Sequence, residues 1–175
     1  MDVDGLTIGE YEEVDLVGIL EIERDSFPTP WSPGLFHGEK SNPLSRMLVG
    51  RTTDAGGFKV AGYIIFWRVA DEIHLHNIAV RRELRTGGIA TRMLSRMIRD
   101  CRSEGARWIT LEVRRSNLPA RKLYEKFGFS IAGVRRAYYT DTGEDALIMS
   151  ADPERISLEE TPPPKQRGAQ NDNIA

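Results

Sequence analysis

Apolar residues recur along this chain with two periods, and the switches between them mark out its elements. Residues 13–25 carry Val14, Val17, Ile19, Leu20 and Ile22 near helical spacing. That helix must end before Phe27-Pro28-Thr29-Pro30-Trp31, because proline has no amide hydrogen and restricts the residue ahead of it. Ser32 as N-cap and Pro33 in the first turn predict a second short helix, to about residue 40. Residues 6–10 read as a short first strand. Residues 45–51 and 58–69 read as two more, joined by a hairpin loop at 53–57.

Residues 72–80 form the next strand, and their pattern slips. Ile73 and Leu75 are apolar at odd positions, Ile78 and Val80 at even ones. A strand keeps its faces only while the period is two, so either a β-bulge falls near His76-Asn77 or the strand is buried on both faces. Ile89, Ala90, Met93, Leu94, Met97, Ile98 and Cys101 then draw the stripe of a longer helix, which Gly105 stops. A strand at 107–113 after that helix implies a right-handed crossover and a parallel neighbour. Asn117 and Pro119 open another helix, with Leu123, Tyr124 and Phe127 on one face and Gly128 at its end. Residues 129–139 and 145–151 make a closing hairpin around Asp141-Thr142-Gly143. The expectation is one α/β domain over residues 1–151, built on a mixed, partly parallel central sheet with helices on both faces. Residues 152–175, with three consecutive prolines and few apolar residues, read as a disordered tail.

Composition adds exclusions. The 175 residues are 40% hydrophobic and 29% charged, ordinary for a globular domain, and a formal charge of −2 makes no case for nucleic acid or anionic membrane as a partner. The acidic N-terminus lacks the apolar core of a signal peptide, and no run is long enough to span a bilayer. One cysteine, Cys101, rules out an intramolecular disulfide, and its place on the apolar stripe reads as core. A cytoplasmic protein is expected. Arginines at 81, 82, 85, 92, 96, 99 and 102 read as a solvated helix face, with those near residue 85 also able to draw in a polyanion.

The stretch Ile78-Ala79-Val80 running through Arg85-Thr86-Gly87-Gly88-Ile89-Ala90 carries the candidate chemistry. A strand, a glycine-rich turn and a helix start present unpaired amides and a favourable dipole to an anion. No Gly-Lys-Ser/Thr closes the turn and no G-x-G-x-x-G occurs, so it is neither a Walker loop nor a dinucleotide fingerprint. It resembles the Arg/Gln-x-x-Gly-x-Gly/Ala motif of the GCN5-related N-acetyltransferases, through Arg85, Gly88 and Ala90. LEVRRSN (111–117), LYEKFGF (123–129), RRAYY (135–139) and EDALIM (144–149) follow in the order of that family's RimI-type branch, which acetylates the N-terminal alanine of a ribosomal protein. The likeness runs from about Ile22 to Met149; Thr86-Gly87 departs from the commoner Gly-Lys or Gln-Gly.

The resemblance implies the family's fold, with a bulged strand opening a wedge between two parallel strands. It implies acetyl-CoA as cosubstrate, held by Ile78, Ala79, Val80, the loop residues Arg85, Thr86, Gly87, Gly88, Ile89 and Ala90, and Asn117, with no metal. Glu112 sits at the family's base position and Tyr124 at its acid position. By alternation alone Glu112 reads first as a surface carboxylate paired with Arg114, and the family match reverses that; Tyr124 could also be a buried core tyrosine and Asn117 simply a helix cap. Glu23, Phe27, Pro28, Glu72, Tyr138, Tyr139 and Asp145 are expected around the acceptor. Glu72, His74 and His76 share strand parity, as a metal site would require, but no Cys or HExxH pattern joins them. The expected activity is acetylation of a protein N-terminus, ribosomal in the first instance. A small-amine or antibiotic acetyltransferase and a non-catalytic acyl-CoA-binding module stay open, since acceptor choice resides on loops.

Overall fold

The computed structural model describes residues 5–54 and 57–158. Seven strands form one sheet in the order β1-β2-β3-β4-β5-β7-β6. They are β1 (Thr7–Glu10), β2 (Ser45–Asp54), β3 (Gly57–Val69), β4 (Glu72–Val80), β5 (Trp108–Arg114), β6 (Ser130–Tyr139) and β7 (Glu144–Ala151). Only β4 and β5 run parallel, joined through α3 (Ile89–Ser103); the other neighbours are antiparallel. α1 (Leu16–Ser26) and α2 (Pro33–Ser41) cover one face, α3 and α4 (Leu118–Lys126) the other.

The central strand β3 divides the core into its two layers, with one phase slip at Ala61, the residue left over where its register with β2 shifts. Ala61, Ile64 and Phe66 join Met93, Leu94, Met97 and Ile98 of α3. Val60, Tyr63 and Ile65 join Ile19 and Ile22 of α1 and Phe36 of α2. Cys101 lies in the α3 layer, where burial pushes its thiol up to about 12. Ser32 stands at the N-cap of α2 in extended conformation, but its hydroxyl makes no capping bond.

The phase slip in β4 is a bulge. Phe66 pairs with Leu75 and Ile65 with Asn77, leaving His76 as the extra residue. The insertion keeps Ile73, Leu75, Ile78 and Val80 all toward the α3 layer despite their mixed parity. A strand buried on both faces is therefore not needed to explain the pattern.

The packed chain continues beyond residue 151. Asp152 caps a short 3-10 turn, Pro153–Arg155, and Ile156 buries itself in the α3 layer. Arg102 donates to the carbonyls of Pro153 and Ile156. The expectation of a tail from 152 is thus corrected over residues 152–158, where Pro153 and Ile156 are buried. Residues 159–175 lie outside the described residues.

Candidate active site

The parallel pairing of β4 with β5 covers only Glu72↔Trp108 to Leu75↔Leu111. The next residue on β4 is the bulged His76, and the next on β5 is Glu112. From there the strands part and a cleft opens between them. It has two halves of 890 and 620 Å³, which share Ser26, Phe27, Ile78, Asn117, Ala120 and Tyr124 on their walls.

The 620 Å³ half runs along β4 to the start of α3. Arg81 N–H donates to Ala61 O at 2.8 Å, so alternation turns the N–H groups of Val80 and Ile78 away from β3, into the cleft. Gly62, opposite Val80, lets β3 come this close: a Cβ there would stand 2.7 Å from the Ala79 carbonyl oxygen. Gly88 is the N-cap of α3 at φ +77, a left-handed conformation that suits glycine, and no side chain caps the helix. The first amides of α3 therefore face the cleft with no side-chain acceptor, which fits an anionic group. Thr86 is also left-handed, at φ +66, with its hydroxyl on Arg85 O at 2.5 Å. This is where the loop departs from the commoner residues of the family it resembles, and the departure places a β-branched side chain where glycine would be relaxed. Arg85 braces the loop, donating to Val80 O at 3.0 Å and Ser26 Oγ at 2.9 Å.

The arginine run is not a uniform solvated face. Arg81 bonds Val60 O and Glu21, Arg92 reaches Leu6 O, and Arg96 chelates Asp100.

The 890 Å³ half lies over the β5–β7–β6 part of the sheet, beyond the cover of α1 and α2. Glu112 lines it, and its carboxylate pairs with Arg135 at 3.3 Å rather than with Arg114. Tyr124 is 5% exposed at the junction of the two halves. Burial pushes its phenol well above the ordinary tyrosine range, so it keeps its proton. Its hydroxyl makes no hydrogen bond among the described residues. Asn117 both caps α4, accepting from Ala120 N at 3.2 Å, and lines both halves, so its two roles are compatible. Phe27, Pro28, Tyr138 and Tyr139 line the 890 Å³ half. Burial pushes the Tyr139 phenol up to about 12.

Three expected acceptor contacts lie elsewhere. Glu23 is 1% exposed and lines neither half; it accepts from Trp31 N at 2.6 Å, from Asn77 Nδ2 at 3.1 Å and from the Tyr63 hydroxyl. Glu72 sits at the paired end of β4, remote from the fork, beside His74 at 3.5 Å. Asp145 accepts from Ala137 N at 3.0 Å and pairs with Arg115, holding β6 instead of facing the cleft. His76 lines the cleft with its ring tilted against Trp67, centroids 4.3 Å apart, and burial pushes its imidazole down. No cluster of three metal-type ligands occurs among the described residues. Sequence reasoning offered His76 as a bulge position or a possible ligand, and gave Asn77, Asp141 and Glu144 no place on the cleft wall. The slip at His76-Asn77 and the charges of the closing turn were the available signals.

The match to known proteins follows this geometry. The model of the Acetyltransferase (GNAT) family matches residues 16–129. The [ribosomal protein bS18]-alanine N-acetyltransferase of Escherichia coli (strain K12) is 38% identical over 146 residues, 82% of this chain and 95% of that protein. A Bacillus subtilis (strain 168) relative is 40% identical over 136 residues, 77% of this chain and 87% of its own length. The crystal structure of the Escherichia coli ribosomal-protein-S18-alanine N-acetyltransferase superposes with a TM-score of 0.75 at 34% identity, over 90% of this chain and 98% of that one.

Proposed function

This chain belongs to the GNAT acetyltransferase family, and from that premise we propose that it transfers acetyl from acetyl-CoA to the N-terminal alanine of a ribosomal protein. Ribosomal protein bS18, for which its relatives are named, is the first candidate acceptor. The fork supports this reading: in the cleft open between β4 and β5, Glu112 lines the 890 Å³ half and the phenol of Tyr124 lines both halves.

Acetyl-CoA, when bound, supplies an activated acyl thioester. The first-turn amides of α3 and the Gly88 turn would hold its pyrophosphate. Ile78 and Val80 would pair with its amide-bearing arm as an added strand does, and the Val80 N–H would stabilise charge on the acyl oxygen. An α-amine of pKa roughly 7.7–8.0 is largely protonated at neutral pH, so it needs a base to release its lone pair. Glu112 takes that proton, directly or through water, and the amine displaces Arg135 from the carboxylate. Tyr124 gives its proton to the departing thiolate. His76, Phe27 and Pro28 wall the acceptor half.

The test is a panel of N-terminal peptides, headed by Ala-Arg starts, incubated with labelled acetyl-CoA beside small amines and aminoglycosides. The account expects label on the α-amine of alanine-first peptides. Label confined to small amines would contradict the acceptor, and tight acetyl-CoA binding without turnover on any amine would contradict catalysis.

A further inference from the structure

We propose that Arg114 is a positioning residue for the acceptor: its guanidinium latches the β6–β7 turn, and with it Tyr138 and Tyr139, onto β5 two residues past Glu112. The proposal rests on the reading of the 890 Å³ half as the acceptor site.

The strand ladder cannot hold this turn by itself. β6 and β7 pair as far as Arg135↔Ala146 and meet again only at Tyr139↔Glu144, so Arg136, Ala137 and Tyr138 stand opposite the single Asp145. Ala137 takes φ +50 within this break. In a regular strand, consecutive tyrosines would point to opposite faces. Here the break lets both Tyr138 and Tyr139 line the cleft, their rings packed edge-on at 5.3 Å.

Asp145 holds Ala137 within the break, and Arg114 adds the attachment of the turn itself to β5. Its Nη2 donates to both oxygens of Asp141, at 2.9 and 2.7 Å, and its Nη1 donates to Thr142 Oγ1 at 2.8 Å. Glu144 lies 3.8 Å away, and the guanidinium carbon sits 3.9 Å from the centre of the Tyr139 ring. Glu144 in turn accepts from Ser116 N at 2.6 Å, tying in the loop that leads to Asn117. One planar fork therefore joins the turn, the start of β7 and the face of Tyr139. A lysine has the charge but neither the bidentate geometry nor the stacking plane. The arrangement also has an electrostatic result. Of the three carboxylates on this wall, Asp141 and Glu144 share the held guanidinium, whereas Glu112 faces the more exposed Arg135. An incoming ammonium is thereby directed to Glu112.

The test compares wild type with Arg114→Lys, Asp141→Asn and the double variant, measuring peptide KM and kcat, acetyl-CoA affinity by calorimetry, and Tm. Peptide KM should rise on the order of tenfold in each single variant, as for loss of a charge-assisted bidentate contact. Acetyl-CoA affinity should stay within about twofold, since the donor half is untouched, and the double variant should be no worse than the poorer single one. If Arg114→Lys fails to fold, Asp141→Asn and Thr142→Val address the same contact from the turn. An unmoved peptide KM in folded variants, or an equal loss of acetyl-CoA affinity, overturns the latch while the acetyltransferase reading stands. Absence of wild-type turnover on every peptide in the same assay overturns both.

Discussion

The Glu23 carboxylate accepts a hydrogen bond at 3.1 Å from the side-chain amide of Asn77, the residue that closes the bulge in β4. The same carboxylate accepts from the Trp31 amide at 2.6 Å, and Asn77 donates to the Tyr63 hydroxyl at 2.9 Å. One buried side chain thus ties the α1–α2 loop, which carries Phe27 and Pro28, to the strand whose splaying opens the cleft. It shapes the acceptor wall without lining it.

Glu23→Ala should therefore cost about 2–4 kcal/mol in stability, because it leaves buried donors unpaired. Glu23→Gln, which keeps the shape but not the charge, should remain folded and lose on the order of tenfold or more in kcat/KM for peptide through misplacement of the loop. Chemical denaturation and steady-state kinetics check the two parts. Full activity in Glu23→Gln would mean that the loop holds its place without the charge.

How far this site was legible from the chain follows from the same residues. Local signals were enough for the Asn117 cap and the turn at Gly88, which are written in capping chemistry and glycine placement within a few residues; parity located the slip in β4 but left a bulge and a doubly buried strand open until the register with β3 decided it. Glu23, Glu72 and Asp145 were expected around the acceptor, and each lies off the cleft wall. Whether a carboxylate faces a cavity or a buried amide depends on partners 8 to 54 residues away, such as Trp31 and Asn77, which periodicity does not encode. The domain end was placed early because Pro153, Ile156 and Leu158 are scattered apolar residues in a polar stretch. Only the α3 layer and Arg102 give them a place to dock.

Ile156→Ala should lower stability by about 2–4 kcal/mol, the usual cost of emptying a buried aliphatic site. A chain ended after Leu158 should melt close to the full protein, and one ended after Ala151 well below it. Calorimetry on the three proteins decides this. Equal Tm values for both truncations would show that the segment contributes nothing to the fold.

The phosphate-cradle assignment can be separated from backbone strain at Gly88. Asn and Asp both tolerate its left-handed conformation, and a Cβ there meets no atom within 4 Å. Gly88→Asn and Gly88→Asp should thus be destabilised alike, by about 1 kcal/mol. Acetyl-CoA affinity should fall at least about tenfold further in Gly88→Asp, whose charge opposes the pyrophosphate across a helix N-terminus. Equal affinities in the two variants would remove the pyrophosphate from this turn.

The most direct test of the division of labour at the fork is kcat/KM against pH for wild type, Glu112→Gln and Tyr124→Phe on one alanine-first peptide. Tyr124 has its pKa raised by burial, so its proton is present below and well above the ordinary value of about 10, and it adds no alkaline limb to the wild-type profile. Glu112→Gln should lose on the order of 10²-fold near pH 7 and recover part of that as pH rises through about 8, where solution supplies free amine. Tyr124→Phe should lose a similar factor with no such recovery, since higher pH furnishes no better proton donor. Two profiles displaced from wild type by one constant factor at every pH would contradict the account and reduce both residues to positioning groups.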